Sequence, residues 1–273
     1  MIEIGEANVI AQQMSVELVG KTINELSFGN AVHKFAFFSA EETSYRNWLV
    51  GKEILASESI GSFIILKLQD CQLTFSEGLN FYWLKSSESW PNKYQFGLHF
   101  STGKRLAVSV SMYGAMLLQH ASLSGNKYFQ VALEKPDPLS EEFTWDYFKQ
   151  LVATTKPSMS LKGFLGTEQR IPGLGNGTLH DIFFTAGLLP QRKLNTLAVE
   201  ELVRLYQALQ TVVTQISRQG GRDTEKDFYG QKGGYQTLLS QKTWRAPCPK
   251  CGAEIQKKTF LGGTIYYCLH CQN

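Results

Sequence analysis

The apolar residues of this chain follow different periods in its two halves. Between residues 5 and 19 they recur at helical spacing, and Gly20 follows as a stop. From residue 21 to 118 they mostly alternate with period two, interrupted by turn signals such as Glu77-Gly78 and by one helical stretch, Glu41–Val50. The predicted strands are Phe63–Leu68, Leu73–Phe75, Phe81–Trp83, Tyr94–Phe100 and Leu106–Val110. This pattern predicts an N-terminal helix and an antiparallel β-sandwich or barrel.

The second half has helical spacing from Phe143 onward. The predicted helices are Trp145–Thr154, Leu161–Gly166, Thr178–Ala186 and Val199–Ser217. Residues 121–142 contain Ser-Gly-Asn and Pro-Asp-Pro and are interpreted as a linker. The sequence therefore predicts an α+β protein with a β-sandwich domain (1–120), a linker (121–142), a helical domain (143–240) and a cysteine-rich hairpin (241–273).

Composition and charge narrow the class of protein. The chain has 273 residues, of which 43% are hydrophobic, enough for one or two cores. It lacks a run of about 18 apolar residues and a signal-peptide core, so we expect a cytoplasmic protein without membrane association. Residues 1–150 carry 12 Lys and Arg against 16 Asp and Glu, whereas residues 151–273 carry 15 against 8. The balance of +7 in the second half favours a polyanionic partner there.

A glycine-rich turn, Arg170–Gly177, separates two of the predicted helices. Three glycines in five residues allow a close approach of the backbone to a ligand. The helix that follows would direct unpaired N–H groups and a partial positive charge at the turn, which favours phosphate. Most turns of this kind only connect helices, so the motif by itself leaves both interpretations open.

Four cysteines form the strongest motif. Cys248 and Cys251 make one C-x-x-C knuckle, and Cys268 and Cys271 make a second one after sixteen residues. This spacing is typical of a closed, four-thiolate structural zinc site, with the intervening residues as a hairpin whose tip is Gly262-Gly263. Two disulfides or a redox pair are the alternatives. The fifth cysteine, Cys71, lies in a strand pattern and is interpreted as a core residue.

The order of these parts resembles a known family. The N-terminus carries Glu3 and Glu6. Ile171–Pro190 looks like a helix-two-turn-helix, and Cys248–Gln272 looks like a zinc finger. Over nearly the whole chain, the sequence resembles the formamidopyrimidine-DNA glycosylase / endonuclease VIII family. The resemblance implies two domains that clamp duplex DNA, flip out a damaged base, break its glycosidic bond and nick the strand at the abasic site.

The resemblance also implies catalytic positions, one of which is altered. The family nucleophile is the amine of an N-terminal proline, and the adjacent glutamate transfers protons. Here Ile2 occupies the position of the proline, and Glu3 that of the glutamate. Because Ile2 hinders removal of the initiator methionine, we expect Met1 to remain and to present its own α-amine. Lys34 is a second candidate amine, with an ordinary surface lysine as the alternative.

Further positions concern DNA contacts. Asn176 matches the phosphate-binding asparagine, but a family lysine falls at Ser62 and the hairpin arginine near Gly263. The family's wedge segment aligns with Ser111–Gly114, where an apolar or aromatic side chain could intercalate. Arg222–Tyr235 resembles a lesion-recognition loop, with a flexible surface loop as the alternative. The predicted DNA-binding residues are Asn176, Lys162, Arg170, Gly175, Met112 and Tyr113.

Two functions follow from these positions. The first is a monomeric, zinc-containing glycosylase and abasic-site lyase that acts on oxidised or ring-opened bases in duplex DNA, in the nucleoid of a bacterium. The second is a non-catalytic protein that binds damaged or abasic DNA. A third and weaker alternative is that the hairpin and the glycine turn bind RNA or a protein.

Overall fold

A computed structural model describes residues 1–120 and 126–273. Its first element is helix α1, Ile4–Leu18, which begins where the carboxylate of Glu6 accepts a hydrogen bond from the backbone N–H of Glu3 at 3.1 Å. The helix is followed by Gly20 in a left-handed conformation (φ +78°). The predicted N-terminal helix is therefore confirmed.

Seven strands and one short helix follow. The strands are β1 (Ile23–Ser27), β2 (Ala36–Phe38), β3 (Ala56–Ile60), β4 (Phe63–Lys67), β5 (Gln72–Leu84), β6 (Phe96–Phe100) and β7 (Arg105–Gln119), and the helix is α2 (Glu42–Leu49). The strands form one sheet. Six of them follow the order β1-β6-β7-β5-β4-β3, and β2 pairs with β7 outside this order. All pairs are antiparallel except β2 with β7. The predicted antiparallel domain is confirmed, as one continuous sheet that includes a parallel edge pair.

The long strands β5 and β7 correct the sequence prediction at Glu77-Gly78. These residues were expected to form a turn between two strands, but β5 runs through them. Glu77 pairs with Gly114 and Leu79 pairs with Val110, so Gly78 alone lies opposite residues 111–113 of β7. The glycine satisfies a backbone requirement, because a Cβ there would lie 2.7 Å from the carbonyl oxygen of Tyr113. Glu77 and Gly78 therefore mark a bulge, which is a common way to redirect side chains next to a site.

The core of the N-terminal domain lies between this sheet and α1. Residues from both ends of the sheet, such as Ile23 in β1 and Leu66 in β4, share it with Ile10 and Met14 of α1. The opposite side of α1 faces the second domain, whose core includes Ile4. Helix α1 therefore belongs to both domains.

The predicted linker contains a helix. Helix α3 spans Lys127–Glu134 and begins at Asn126, whose side chain accepts hydrogen bonds from the amides of Tyr128 and Phe129. Phe129 is buried against Phe63 of the sheet, with the ring centroids 5.2 Å apart. The apolar side of α3 packs this part of the predicted linker onto the N-terminal domain. The Ser124-Gly125 part of the linker prediction lies outside the described residues.

The C-terminal domain is helical, as predicted. Its helices are α4 (Trp145–Ala153), α5 (Leu161–Gly166), α6 (Asn176–Ala186) and α7 (Val199–Arg218). The apolar faces of α6 and α7 meet in one core that includes Phe183 and Leu209. Within the described part of the chain, no helix is long and apolar enough to cross a membrane.

A two-stranded hairpin closes the chain. Strands β8 (Gln256–Phe260) and β9 (Gly263–Tyr267) pair through Phe260 and Gly263, so the tip is Leu261-Gly262, one residue earlier than predicted. Both tip residues have positive φ, 48° and 71°, as short hairpin turns require. The hairpin packs on α6, where His180 Nε2 donates to the carbonyl of Thr264 at 3.2 Å.

The segment Arg222–Tyr235 returns to the N-terminal domain. Phe228 at its centre is fully buried in the sheet core, with its ring 5.6 Å from Trp83. Gln13 of α1 fixes the segment by accepting from the amide of Phe228 (3.0 Å) and donating to Asp227 (2.8 Å). The alternative of a loose surface loop is therefore wrong, since a buried aromatic side chain holds the segment in place.

Candidate active site

The carboxylate of Glu3 lies at the N-terminus of α6. Its Oε1 accepts from the amide of Gly177 at 2.9 Å, and its Oε2 accepts from the amide of Thr178 at 3.0 Å. Amides at a helix start have no partner within the helix and stabilise a negative charge. The sequence predicted that these amides would be available for phosphate, which is wrong, because the protein's own glutamate occupies them.

Arg222 completes this buried charge cluster. Its guanidinium binds both oxygens of Glu6, at 2.8 and 3.0 Å, and reaches Oε1 of Glu3 at 3.3 Å. Arg222 is 2% exposed, Glu6 2% and Glu3 6%, so the three charges are paired almost without solvent. Gly177 is required here, since a Cβ would lie 1.5 Å from Nη1 of Arg222.

Sequence reasoning missed the role of Arg222. The sequence predicts it only as part of a loop, whereas the structure turns the carboxylates of Glu3, directly before α1, and Glu6, in the first turn of α1, toward it. The sequence signal for this role is the arginine directly after Gly220-Gly221. No sequence pattern links that arginine to residues more than 200 positions earlier.

The N-terminal backbone is held beside this cluster. The α-ammonium of Met1 forms an ion pair with Glu225, and the carbonyl of Met1 accepts from Arg222 at 3.0 Å. Ile2 donates its N–H to the carbonyl of Glu77 at 3.0 Å, and its side chain is buried in the N-terminal core. Ile2 is therefore anchored in the core, and the amine next to it in the chain is that of Met1.

These residues line a pocket of about 520 Å³. One wall consists of Met1, Ile2, Glu3 and Glu77, and another is the glycine turn from Gly173 to Gly177. Partial burial raises the pKa of the Glu77 carboxyl above its usual value. A pocket that combines an amine with several carboxylates can bind a small group and exchange protons with it.

Asn176 lines this pocket, and Lys162 lies beside it below the hairpin. A Cβ on Gly263 would lie 2.9 Å from Nδ2 of Asn176 and 3.2 Å from Nζ of Lys162. Asn176 is exposed, whereas Lys162 is buried and donates to the carbonyl of Phe260 at 2.5 Å. Burial lowers the pKa of Lys162. The structure therefore leaves the side chain of Asn176 exposed and turns Lys162 toward the hairpin.

The other predicted DNA-binding residues are distributed around the site. Gly175 lines the pocket directly before α6. Arg170 pairs with Glu168 and donates to the carbonyl groups of Gly163 and Thr167, both at 3.2 Å. Arg170 therefore stabilises the turn, and its guanidinium is already engaged.

Met112 and Tyr113 protrude from the bulge of β7. They are 55% and 42% exposed, and the ring of Phe35 lies 4.9 Å from that of Tyr113. Lys34 is exposed on the turn before β2, with its Nζ 5.4 Å from the ring centroid of Phe35, and does not line the Glu3 pocket. The structure therefore groups Lys34 with the aromatic bulge and not with Glu3.

The four knuckle cysteines form one cluster. Their sulfur atoms all lie within 4.8 Å of one another, with Cys248 and Cys271 3.8 Å apart and Cys251 and Cys268 3.5 Å apart. Tetrahedral ligands at the usual zinc–sulfur distance lie about 3.8 Å from each other, so the cluster fits one ion. All five cysteines are free thiols, which removes the alternative of two disulfides.

Cys71 behaves as the sequence predicted. It is 4% exposed in the N-terminal core, and burial raises the pKa of its thiol to about 11. A thiol of this kind is protonated near neutral pH and is a poor nucleophile.

Fold and site together define a class: two domains that share one N-terminal helix, a carboxylate-lined pocket between that helix and a glycine turn, and a separate four-cysteine hairpin packed on α6. No protein-family model matches the chain. The formamidopyrimidine-DNA glycosylase of Lactobacillus delbrueckii subsp. bulgaricus is 25% identical over 285 residues, covering 100% of this chain and 99% of that relative. The one of Listeria innocua is 27% identical, covering 94% of this chain and 97% of that relative.

Solved structures show the same fold. The MutM (Fpg) protein of Thermus thermophilus has a TM-score of 0.80 at 22% identity and covers 99% of this chain and 98% of its own. Lactococcus lactis Fpg in complex with DNA containing an abasic site has a TM-score of 0.84 at 20% identity, with 99% of each chain covered. The resemblance predicted from the sequence is confirmed: the chain is similar in sequence to formamidopyrimidine-DNA glycosylases over its full length and has the fold of the solved Fpg structures.

Proposed function

We propose that this protein binds damaged duplex DNA, removes an oxidised or ring-opened base and nicks the resulting abasic site. The observation that carries the proposal is Glu3, which helix α6 holds in the wall of a pocket that also contains the α-amine of Met1. Relatives that are glycosylases by name, and a similar structure in complex with abasic DNA, support the same assignment.

The Met1 amine is the proposed nucleophile. Glu225 accepts its proton, and the neutral nitrogen attacks C1′ of the flipped nucleotide while the bond from C1′ to the base breaks. The departing base takes up one proton. Transfer of a proton from the nitrogen to O4′ opens the sugar and gives a protonated Schiff base between the nitrogen and C1′. Loss of a proton from C2′ to a carboxylate then expels the 3′ phosphate. Glu3 and Glu77 are the carboxylates placed to transfer these protons.

A non-catalytic protein that binds damaged DNA is the second candidate. Three observations favour it: Ile2 is committed to the core, Ser62 replaces a family lysine at the pocket, and Gly263 leaves the hairpin without its arginine. Each change removes a group used for bond cleavage or phosphate binding and leaves the fold intact.

Borohydride trapping distinguishes the two functions. We expect the wild-type protein, its N-terminus confirmed by mass spectrometry, to form a covalent adduct with abasic-site DNA, because borohydride reduces a Schiff base. An N-terminal extension of a few residues should abolish the adduct by moving the amine away from the pocket. Lys34→Ala is the control and should trap as well as wild type, since Lys34 does not line the pocket. Binding without adduct or cleavage on a panel of lesions would leave only the second function.

Asn176 is the proposed phosphate contact. Its exposed side-chain amide lies at the start of α6, next to the ammonium group of Lys162. Residues 151–273, which include both, carry the excess of positive charge. We expect Asn176→Ala to weaken binding to abasic duplex by about tenfold to a hundredfold, the loss of one hydrogen bond to a charged group. Asn195→Ala is the control, an exposed asparagine outside the pocket. Equal affinities of wild type and Asn176→Ala in fluorescence anisotropy would contradict this contact.

The metal is proposed to be one structural zinc ion. Cys248, Cys251, Cys268 and Cys271 would supply all four ligands. A closed set of four thiolates leaves no open position for substrate, so the ion stabilises the hairpin and takes no part in the chemistry.

A further inference from the structure

Negative charge exceeds positive charge in the lining of the Glu3 pocket. The lining contains the carboxylates of Glu3, Glu77 and Glu225, the ammonium of Met1 and the guanidinium of Arg222. The Met1 ammonium is already paired with Glu225. Arg222 is already paired with Glu3 and Glu6. The pocket therefore has one carboxylate more than it has cations, and both of its cations are engaged.

Glu77 is the carboxylate of the lining that stays unpaired. Among the described residues, none pairs with its side chain, and burial raises the pKa of its carboxyl. Its φ is +70°, a left-handed conformation that is unfavourable for a residue with a Cβ. The N–H of Ile2 donates to its carbonyl at 3.0 Å and holds this conformation beside the N-terminus. A cation next to the carboxylate would lower its pKa again and stabilise the ionised form.

An aromatic side chain belongs to the same pocket. Tyr128 lies in the first turn of α3, lines the pocket and is 61% exposed. Its backbone is fixed, because Asn126 accepts from its amide at 2.9 Å and the next residue, Phe129, is buried against Phe63. The face of an aromatic ring attracts a cation. The pocket thus combines a free carboxylate with an accessible ring, two groups that bind positively charged, flat molecules.

A damaged base can carry such a charge. Alkylation of a purine at a ring nitrogen without a hydrogen, such as N7 of guanine, makes the base cationic and keeps it flat. The pocket volume of about 520 Å³ is in the range of pockets that bind small organic groups. Ser62, which replaces a family lysine in the lining, adds no positive charge that would repel a cationic base.

We propose that the Glu3 pocket also accepts cationic, ring-alkylated purines, and that Glu77 and Tyr128 select them over neutral bases. This inference rests on the proposed function, since it requires the damaged base to enter this pocket. The amine of Met1 forms a bond to C1′ while the bond from C1′ to N9 breaks. Both electrons of the broken bond go to the base, and the positive charge passes to the nitrogen of the amine. The base leaves as a neutral molecule and needs no proton from the protein.

Two duplexes that differ by one charge test this selection. One contains 7-methylguanine, and the other contains 7-methyl-7-deazaguanine, which has the same shape and no charge. A 2′-fluoroarabino sugar at both positions resists cleavage, so that fluorescence anisotropy measures affinity alone. We expect the wild-type protein to bind the charged duplex about tenfold more tightly than the neutral one, as one partly solvated charge pair would give.

Variants of the two selecting residues should change this ratio of affinities. Glu77→Gln should bring it close to one, because the amide keeps the shape of the side chain and removes its charge. Tyr128→Leu should lower it by about threefold through loss of the cation–ring contact, whereas Tyr128→Phe should preserve it. Glu25→Gln is the matched control and should keep the wild-type ratio, because Glu25 is an exposed carboxylate of β1 outside the pocket.

Release of the base gives a second measurement. In a duplex with ordinary deoxyribose, the wild-type protein should liberate 7-methylguanine faster than it is lost spontaneously, as followed by chromatography of the free base. A wild-type ratio of one, a ratio unchanged by Glu77→Gln, or no release above the spontaneous rate would overturn this inference. The proposed function would stand if the protein still cleaved DNA with an oxidised base and was trapped on abasic DNA. Absence of those two activities as well would overturn both.

Discussion

Arg222 contacts Glu3, which lies 219 positions earlier in the chain. It neutralises one of two buried carboxylates, and the amides of α6 stabilise the other. Removing one charge from a cluster of this kind leaves its partner buried and unpaired. The resulting loss of stability is far larger than the loss from breaking a surface ion pair. At the scale of the residue, Arg222 and the amides of α6 fix the position of Glu3, the proposed proton-transfer group.

We therefore expect Arg222→Met to lower the free energy of unfolding by about 3–5 kcal/mol. Urea denaturation would measure the loss. The double variant Arg222→Met with Glu6→Gln should recover part of it, because the unpaired carboxylate is then removed as well. A single variant as stable as wild type would show that the cluster contributes little.

The cluster also predicts a dependence on pH. Burial by itself would raise the pKa of Glu6, but the charge and hydrogen bonds of Arg222 outweigh it and lower that pKa. Because the folded pKa is below the unfolded value of about 4.3, the stabilisation is present above that pH and is lost as the pH falls. Wild type should therefore lose stability below about pH 4.3 more steeply than the double variant.

At the scale of the element, the hairpin depends on two kinds of support. The cysteine cluster closes its base, and contacts with α5 and α6 hold its middle and tip, through Lys162 to Phe260 and His180 to Thr264. Burial lowers the pKa of His180 to about 4, so this contact is made by a neutral ring near pH 7. Small hairpins of this type have little core of their own, and the metal supplies much of their stability.

Removal of zinc should therefore release the hairpin and weaken DNA binding while the N-terminal domain stays folded. Elemental analysis should give one zinc per chain, and hydrogen exchange after chelation should increase in β8 and β9 but not in β5 and β7. Cys251→Ser should reproduce the effect. Cys71→Ser is the control, and its zinc content should equal that of wild type because Cys71 is not in the cluster.

At the scale of the whole molecule, two apolar contacts are prominent among those that join the domains. Helix α1 contributes to both cores, and Phe228 of the C-terminal half is buried in the core of the N-terminal half. A site between Glu3 and α6 needs this fixed arrangement, since its donors and acceptors come from different domains. The segment Arg222–Tyr235 thus holds the domains in the relative position that the pocket requires.

Phe228→Ala should lower the free energy of unfolding by about 3–5 kcal/mol, the usual cost of an aromatic cavity. It should also weaken the coupling of the domains, so that one unfolding transition in calorimetry becomes two. Tyr229→Phe is the control, because only a half-exposed hydroxyl is removed. A single transition at the wild-type temperature for Phe228→Ala would contradict this role.

The sequence by itself determined the elements, because helical and alternating periods arise from residues that are neighbours in the chain. It determined the cysteine site as well, since each knuckle is a local turn with fixed spacing. The tertiary structure decided which groups meet. It gave the amides of Gly177 and Thr178 to Glu3, paired Arg222 with two glutamates, and turned the expected break at Glu77-Gly78 into a bulge. These contacts join residues far apart in sequence, and only the packing of the domains around α1 brings them within hydrogen-bonding distance.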